Sequence, residues 1–247
     1  MDKLIYTAAS GLKAHMASQA SIANNMANAS TIGFRADRVV FDRIEIKGAG
    51  FEARTPSSEE VIDADRKQGA VQQTGRPLDV AMTGDSWLTV QATDGTEAYT
   101  RRGDLAVTET GVLQTGDGFP VMGSSGPITI PPYQSMTISG DGTISIVPVG
   151  GDAKNPQVID KLKLVSTQGS QTVKGLDNLL HVKGGGVLPE DLEGKVTGGA
   201  LEGSNVNMTQ ALVDMIENQR AYEVQANLMK EAKTMDESGA SLMRLPS

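Results

Sequence analysis

At 247 residues the chain holds one large domain or two modest ones, and its formal net charge of -8, with no clustered Lys and Arg, argues against a nucleic-acid partner. Cysteine is absent, which removes disulfides, thiolate metal sites and cysteine nucleophiles together. Aromatic residues are only 4% of the chain while glycines number 28, so the core is expected to be aliphatic and the turns tight.

The first element is a helix over residues 1–34. Ile5, Ala8, Leu12, His15, Gln19, Ile22 and Met26 recur at alternating spacings of three and four, the pattern of a heptad seam. The other faces are mostly Ala, Ser, Gln and Asn, where a solvated helix would display Lys and Glu. Such a helix expects protein on every side. Residues 14–34 carry no charge, yet Gln19, Asn24, Asn25 and Asn28 make the run too polar to cross a membrane. No basic segment ahead of a compact apolar stretch marks a cleaved secretory leader. The expectation is a protein soluble when made, with no membrane insertion.

Residues 35–75 mix charge, glycine and scattered apolar residues, and are expected to form an extended connector. From 76 to 203 the period changes to two. The runs Trp87–Gln91 and Glu97–Arg101 flank Asp94-Gly95, a hairpin signal. Asp117-Gly118 and Asp141-Gly142 mark further turns, and Ile128–Ile130, Met136–Ile138, Ile144–Ile146 and Leu162–Val165 read as short strands. This region is expected to be an all-β domain of antiparallel strands.

The last element, residues 204–247, is a second helix. Asn207 with Gln210 three residues on resembles a capping box. Met208, Leu212, Met215, Gln219, Tyr222, Ala226 and Met229 repeat the three-four spacing, and Val213, Ile216, Val224 and Leu228 form a second stripe on another face. One seam can pair with the first helix; the second needs another partner. The fold class expected is α+β, with the two terminal helices in a coiled coil and an all-β antiparallel domain between them. The seam residues expected to drive assembly are Ile5, Leu12, Ile22 and Met26 on the first helix, with Leu212, Met215, Tyr222 and Met229 on the last.

Signals for catalysis are missing. His15 lies in a helical seam and His181 in a strand-like stretch, both read as structural. Asp63-Ala64-Asp65 opens like an EF-hand loop, but the sixth position is Gln68 and the twelfth Thr74, which spoils it. No enzyme activity, cofactor, metal or small-molecule substrate is expected. The cluster Asn24, Asn25 and Asn28 reads in two ways: as a helix stop, or as amides bonding across a helix–helix interface.

The segment Ala23-Asn24-Asn25-Met26-Ala27-Asn28-Ala29-Ser30-Thr31-Ile32-Gly33-Phe34-Arg35 resembles the N-terminal signature of the flagellar basal-body rod and hook proteins, with Asn24, Asn25, Asn28, Gly33 and Phe34 at its signature positions. Gly199–Asn207 resembles that family's lead-in to its last helix, and Arg76–Ala81, Asp85–Leu88 and Tyr99–Gly103 resemble blocks of its middle domain. Ser86 departs from the glycine common there, in a strand-entry turn. The likeness is greatest to proximal-rod members, with distal-rod members, or a non-flagellar extracellular fibre subunit, as alternatives. It implies a structural subunit that polymerises by helix packing, transmits motor torque, and sits in the basal-body rod across the periplasm. It implies as partners other rod subunits, copies of itself and the flagellar type III export apparatus.

Overall fold

The computed structural model describes residues 2–43 and 57–242. They divide into two compact units. One contains the helix α1 (Asp2–Ala27), strand β1 (Asp37–Arg43), most of β2 (Ser57–Ala64), which pairs with β1, and the final helix α2 (Met208–Leu242). The other contains Asn28–Ala36 and Asp63–Val206.

In chain order the second unit runs β3 (Val71–Gln73), β4 (Val80–Met82), β5 (Ser86–Gln91), β6 (Glu97–Thr100), β7 (Leu105–Val107), β8 (Leu113–Thr115), β9 (Tyr133–Ile138), β10 (Thr143–Pro148), β11 (Gln157–Lys161), β12 (Leu164–Ser166), β13 (Thr172–Lys174), β14 (Leu180–Val182), β15 (Val196–Gly198) and β16 (Ala200–Glu202). A five-stranded sheet has the order β12-β5-β6-β14-β13, and a three-stranded sheet the order β11-β10-β9. Short ladders join β15 to β4, β16 to β3 and β7 to β8, all antiparallel. The antiparallel β middle is as expected.

The turn chemistry explains the register. Asp94 accepts both the Thr96 N–H at 2.9 Å and its hydroxyl at 2.6 Å, which leaves Gly95 at φ +84° and sets Leu88 opposite Thr100. Those hydrogen bonds favour the charged form and hold the Asp94 carboxyl below its ordinary range. Asp141 treats Thr143 in the same way, with the same effect on its carboxyl, and closes β9 onto β10. The alternating apolar residues released by these turns meet in one core. Leu88, Val90, Leu105, Leu113, Ile144, Ile146 and Leu162 are fully buried in it. A smaller cluster gathers Trp87, Tyr99, Val165 and Leu180, where the Leu188 N–H donates to Tyr99 Oη at 2.8 Å.

Two expectations change. Residues 35–75 carry β1, β2 and β3, while positions 44–56 of that stretch lie outside the described residues. The coiled coil is a correction. α1 and α2 do pair, but through small and polar positions: Ala8, His15 and Gln19 on α1 with Ala211, Asn218 and Gln225 on α2. A coiled coil needs large aliphatic knobs at the facing positions. Here Leu212, expected in the seam, is 46% exposed and the neighbouring Ala211 is buried in its place.

Candidate functional site

The helix pair offers the first candidate surface. Asn218 Nδ2 donates to the His15 carbonyl at 2.9 Å and to Gln19 Oε1 at 2.7 Å, while Asn218 Oδ1 lies 2.8 Å from His15 Nδ1. One amide thus holds the two helices in register. Gln225 Nε2 approaches the Ala8 carbonyl at 3.4 Å, over Gly11, where the lack of a side chain leaves room for it. Of the predicted seam residues, Leu12, Ile22, Met26, Met215 and Met229 are half-buried, Tyr222 is more exposed, and the side chain of Ile5 lies outside the described residues. Beside the pair runs an open apolar groove of about 410 Å³, between Met16, Ala20 and Ala23 on α1 and Tyr222 on α2. The second stripe stays uncovered: Val213, Ile216, Val224 and Leu228 are between 44% and 60% exposed.

The asparagines do three separate things. Asn25 acts as a strand partner for Asp37: it accepts the Asp37 N–H at 2.7 Å and donates to the Asp37 carbonyl at 3.1 Å. Only a side chain with both a donor and an acceptor can do this. Asn24 donates to the Asp37 carboxylate at 2.5 Å. Asn28 forms the helix stop, its carbonyl accepting the Thr31 N–H and its Oδ1 the Thr31 hydroxyl, both at 3.1 Å. The stop reading therefore suits Asn28, whereas Asn24 and Asn25 fasten β1 to the end of α1 within one chain.

In the β unit, Gly33, Phe34 and Arg35 mate with the end of β16 and the segment that follows it. The Gly33 N–H donates to the Glu202 carbonyl at 2.7 Å, the Asn205 N–H to the Phe34 carbonyl at 3.2 Å, and the Ala36 N–H to Asn205 Oδ1 at 2.7 Å. Gly33 has φ +66°, and a Cβ there would lie 2.4 Å from the Arg102 nitrogen, so only glycine fits. The Glu202 carboxylate is fully buried between two guanidinium groups, with Arg35 Nη2 at 2.7 Å and Arg101 Nε at 3.0 Å. It also accepts the Gly69 N–H at 2.9 Å.

Arg101 donates further to the carbonyls of Ser86 and Gly84, and both arginines lie over Trp87, at 5.7 and 5.8 Å from its ring centre. Lys174 donates to the Arg35 carbonyl at 2.8 Å and sits 3.6 Å from the centre of the Phe34 ring. Burial lowers Arg35 to about 10 against the pull of Glu202, and lowers Arg101 for the same reason. Arg35 stays charged at neutral pH. Buried ions add little net stability because desolvation cancels attraction, but they penalise any other register of the two segments.

Glu202, Arg101, Asn205 and Asn218 were not singled out in the sequence. The first three lie inside the blocks 99–103 and 199–207, but a sequence does not say which charges are buried. Asn218 belongs to the progression Ala211, Met215, Asn218, Tyr222, Gln225, Met229, which has the same spacing as the predicted seam but fewer apolar members. Among the described residues no group of three His, Asp or Glu is placed to hold a metal, and His181 Nε2 pairs with Asp177 at 3.0 Å. No described helix is long and apolar enough to cross a membrane.

Three family models match the chain: a flagella basal body rod protein model over residues 5–35, a flagellar hook protein FlgE/F/G D1 domain model over 81–146, and a flagellar basal body rod FlgEFG protein C-terminal model over 197–242. The chain is 40% identical over 244 residues, 96% of each chain, to the flagellar basal-body rod protein FlgF of Salmonella typhimurium. It is 39% identical over 253 residues to FlgF of Escherichia coli, covering 100% of this chain and 99% of the other. To the flagellar basal-body rod protein FlgG of Bacillus subtilis it is 31% identical over 271 residues, 99% of each.

Proposed function

Because the chain belongs to the flagellar basal-body rod protein family, we propose that it takes a place in the proximal part of the rod and transmits motor torque by packing against its neighbours. It is a structural subunit of the basal body, and the family is not enzymatic. The proximal position rests on the higher identity to relatives named FlgF than to one named FlgG; the distal rod is the alternative.

The observation that carries the packing reading is the uncovered apolar side of α2. Leu212, Val213, Ile216, Val224 and Leu228 are 44–60% exposed on a helix whose pairing with α1 uses other positions. Each such side chain contributes roughly 1.5–3 kcal/mol when taken fully from water, so a neighbour that covers the stripe gains much and a lone subunit gains nothing. Copies of the same chain and other rod subunits are the partners of that face. Delivery by the flagellar type III export apparatus and a position across the periplasm accord with the uncharged, polar run of residues 14–34.

The test is Leu212→Asp. Sealing a carboxylate against apolar neighbours removes its hydration without a partner. The monomer should lose less than about 0.5 kcal/mol, as exposed substitutions do, while the variant should be made yet absent from purified basal bodies, and cells should not swim. Normal incorporation and motility would show that this face stays in water.

A further inference from the structure

We propose that the apolar groove beside the helix pair receives Val224 and Leu228 of a second copy of this chain, so that each subunit offers a groove to one neighbour and a ridge to the next. The inference rests on the packing reading above and adds to it which face meets which.

The groove suits aliphatic side chains better than a small ligand. Of its polar lining, the amides of Gln19 and Asn218 already bond each other, with His15 on the same asparagine. Little is left to orient a polar molecule. Met16, Ala20 and Ala23 on α1 and Tyr222 on α2 are exposed along it, and alanines leave hollows into which a neighbouring helix can set a ridge. Met16 to Ala23 spans about 10 Å of helix, and Val224 and Leu228 stand about 6 Å apart along theirs. They are 60% and 52% exposed. Glu217 and Arg220 interrupt the stripe between Val213 and Val224, and an apolar groove would strand them, whereas no charge lies between Val224 and Leu228.

Charge sets the direction of the incoming helix. Lys13, three residues before Met16, is the one charged residue of α1 after Lys3, and it is exposed. Glu231, three residues after Leu228, is exposed and lies roughly 20° around α2 from Val224, at about 100° per residue. With Leu228 beside Met16 and Val224 beside Ala20, Lys13 and Glu231 come together. Reversing the helix carries Glu231 toward Ala23, where α1 has no cation, and laying stripe on stripe sets Glu217 and Glu231 of both copies on one interface. Val224 and Leu228 lie roughly 120–160° around α2 from Tyr222, so ridge and groove face different ways. The contact is therefore heterologous and repeats from copy to copy rather than closing on two.

The chain has no cysteine, so thiols can be placed singly. Rods isolated from cells making full-length A20C/V224C and treated with a short bismaleimide should yield a ladder of cross-linked multimers, while A20C alone and V224C alone should stay monomeric. M16C/L228C is a second pair that should give the same ladder. Independently of thiols, K13E should lower incorporation into rods at most about fivefold, as loss of a rim ion pair does, and K13E/E231K should restore it. Dimers from V224C alone, an incorporated pair without a ladder, or no rescue by the double charge reversal would overturn the proposal. Those results leave the packing reading in place so long as Leu212→Asp keeps the subunit out of rods; normal incorporation of Leu212→Asp would overturn that reading instead.

Discussion

The β unit and the helical unit dispose of their apolar residues in opposite ways. In the first, antiparallel ladders close a core in which Leu88, Leu105, Leu113, Ile144 and Leu162 are fully buried. The buried charges Arg35, Arg101 and Glu202 pair with one another and bond to backbone carbonyls and N–H groups. In the second, two long helices meet through Ala, Asn, His and Gln, and α2 leaves Leu212, Val213, Ile216, Val224 and Leu228 toward water. A unit whose apolar surface is already buried has the driving force to fold alone; one whose apolar surface is uncovered waits for a neighbour. The chain thus combines a finished domain with an unfinished one.

Substitutions can break this contrast at either end. The largest effect is expected from Glu202→Ala, which strands two buried guanidinium groups and should cost the β unit about 3–5 kcal/mol, read as a lower urea midpoint of the Trp87 signal. A smaller shift would mean that water reaches the cluster. Gly33→Ala comes next. It forces a side chain into left-handed backbone and against the backbone of Arg101 and Arg102, for roughly 3 kcal/mol on the same midpoint. Asn218→Ala should cost only about 1 kcal/mol, because its bonds to His15 and Gln19 are half exposed. It should lower helicity by circular dichroism while leaving the Trp87 midpoint in place. A shift of both signals together would show that the two units do not unfold separately.

The β unit was largely legible in the sequence because its determinants are local. Asp94-Gly95 and Asp141-Gly142 announce turns, and the alternating residues on either side can be buried only in the register those turns impose. The helices were legible as helices but not in their pairing. The apolar pattern favours Leu212 over Ala211 and Ala226 over Gln225, because a periodicity argument ranks residues by hydrophobicity. The structure ranks them by which small or amide side chain lets the two backbones approach. Leu212, which the pattern places in the three-four seam, lies on the uncovered side of α2. The signature Asn24-Asn25 was visible as a motif, but its partner, the backbone of Asp37, carries no side-chain signal at all. The ion cluster needs Arg35, Arg101 and Glu202, separated by up to 167 positions, and the first of these segments reaches the last through the Gly33 N–H on the Glu202 carbonyl.

Amide hydrogen exchange on the full-length monomer, compared with the same protein in isolated rods, tests the contrast most directly. In the monomer, amides of β5, β6 and β10 should exchange on the order of a hundredfold more slowly than those of α1 and α2, since local opening of the helices does not require opening of the β core. In rods, α2 should become protected along Leu212–Leu228 while the β strands change little. Equal protection of helices and strands in the monomer would contradict the account, because it would mean that the helical unit is already complete without a neighbour.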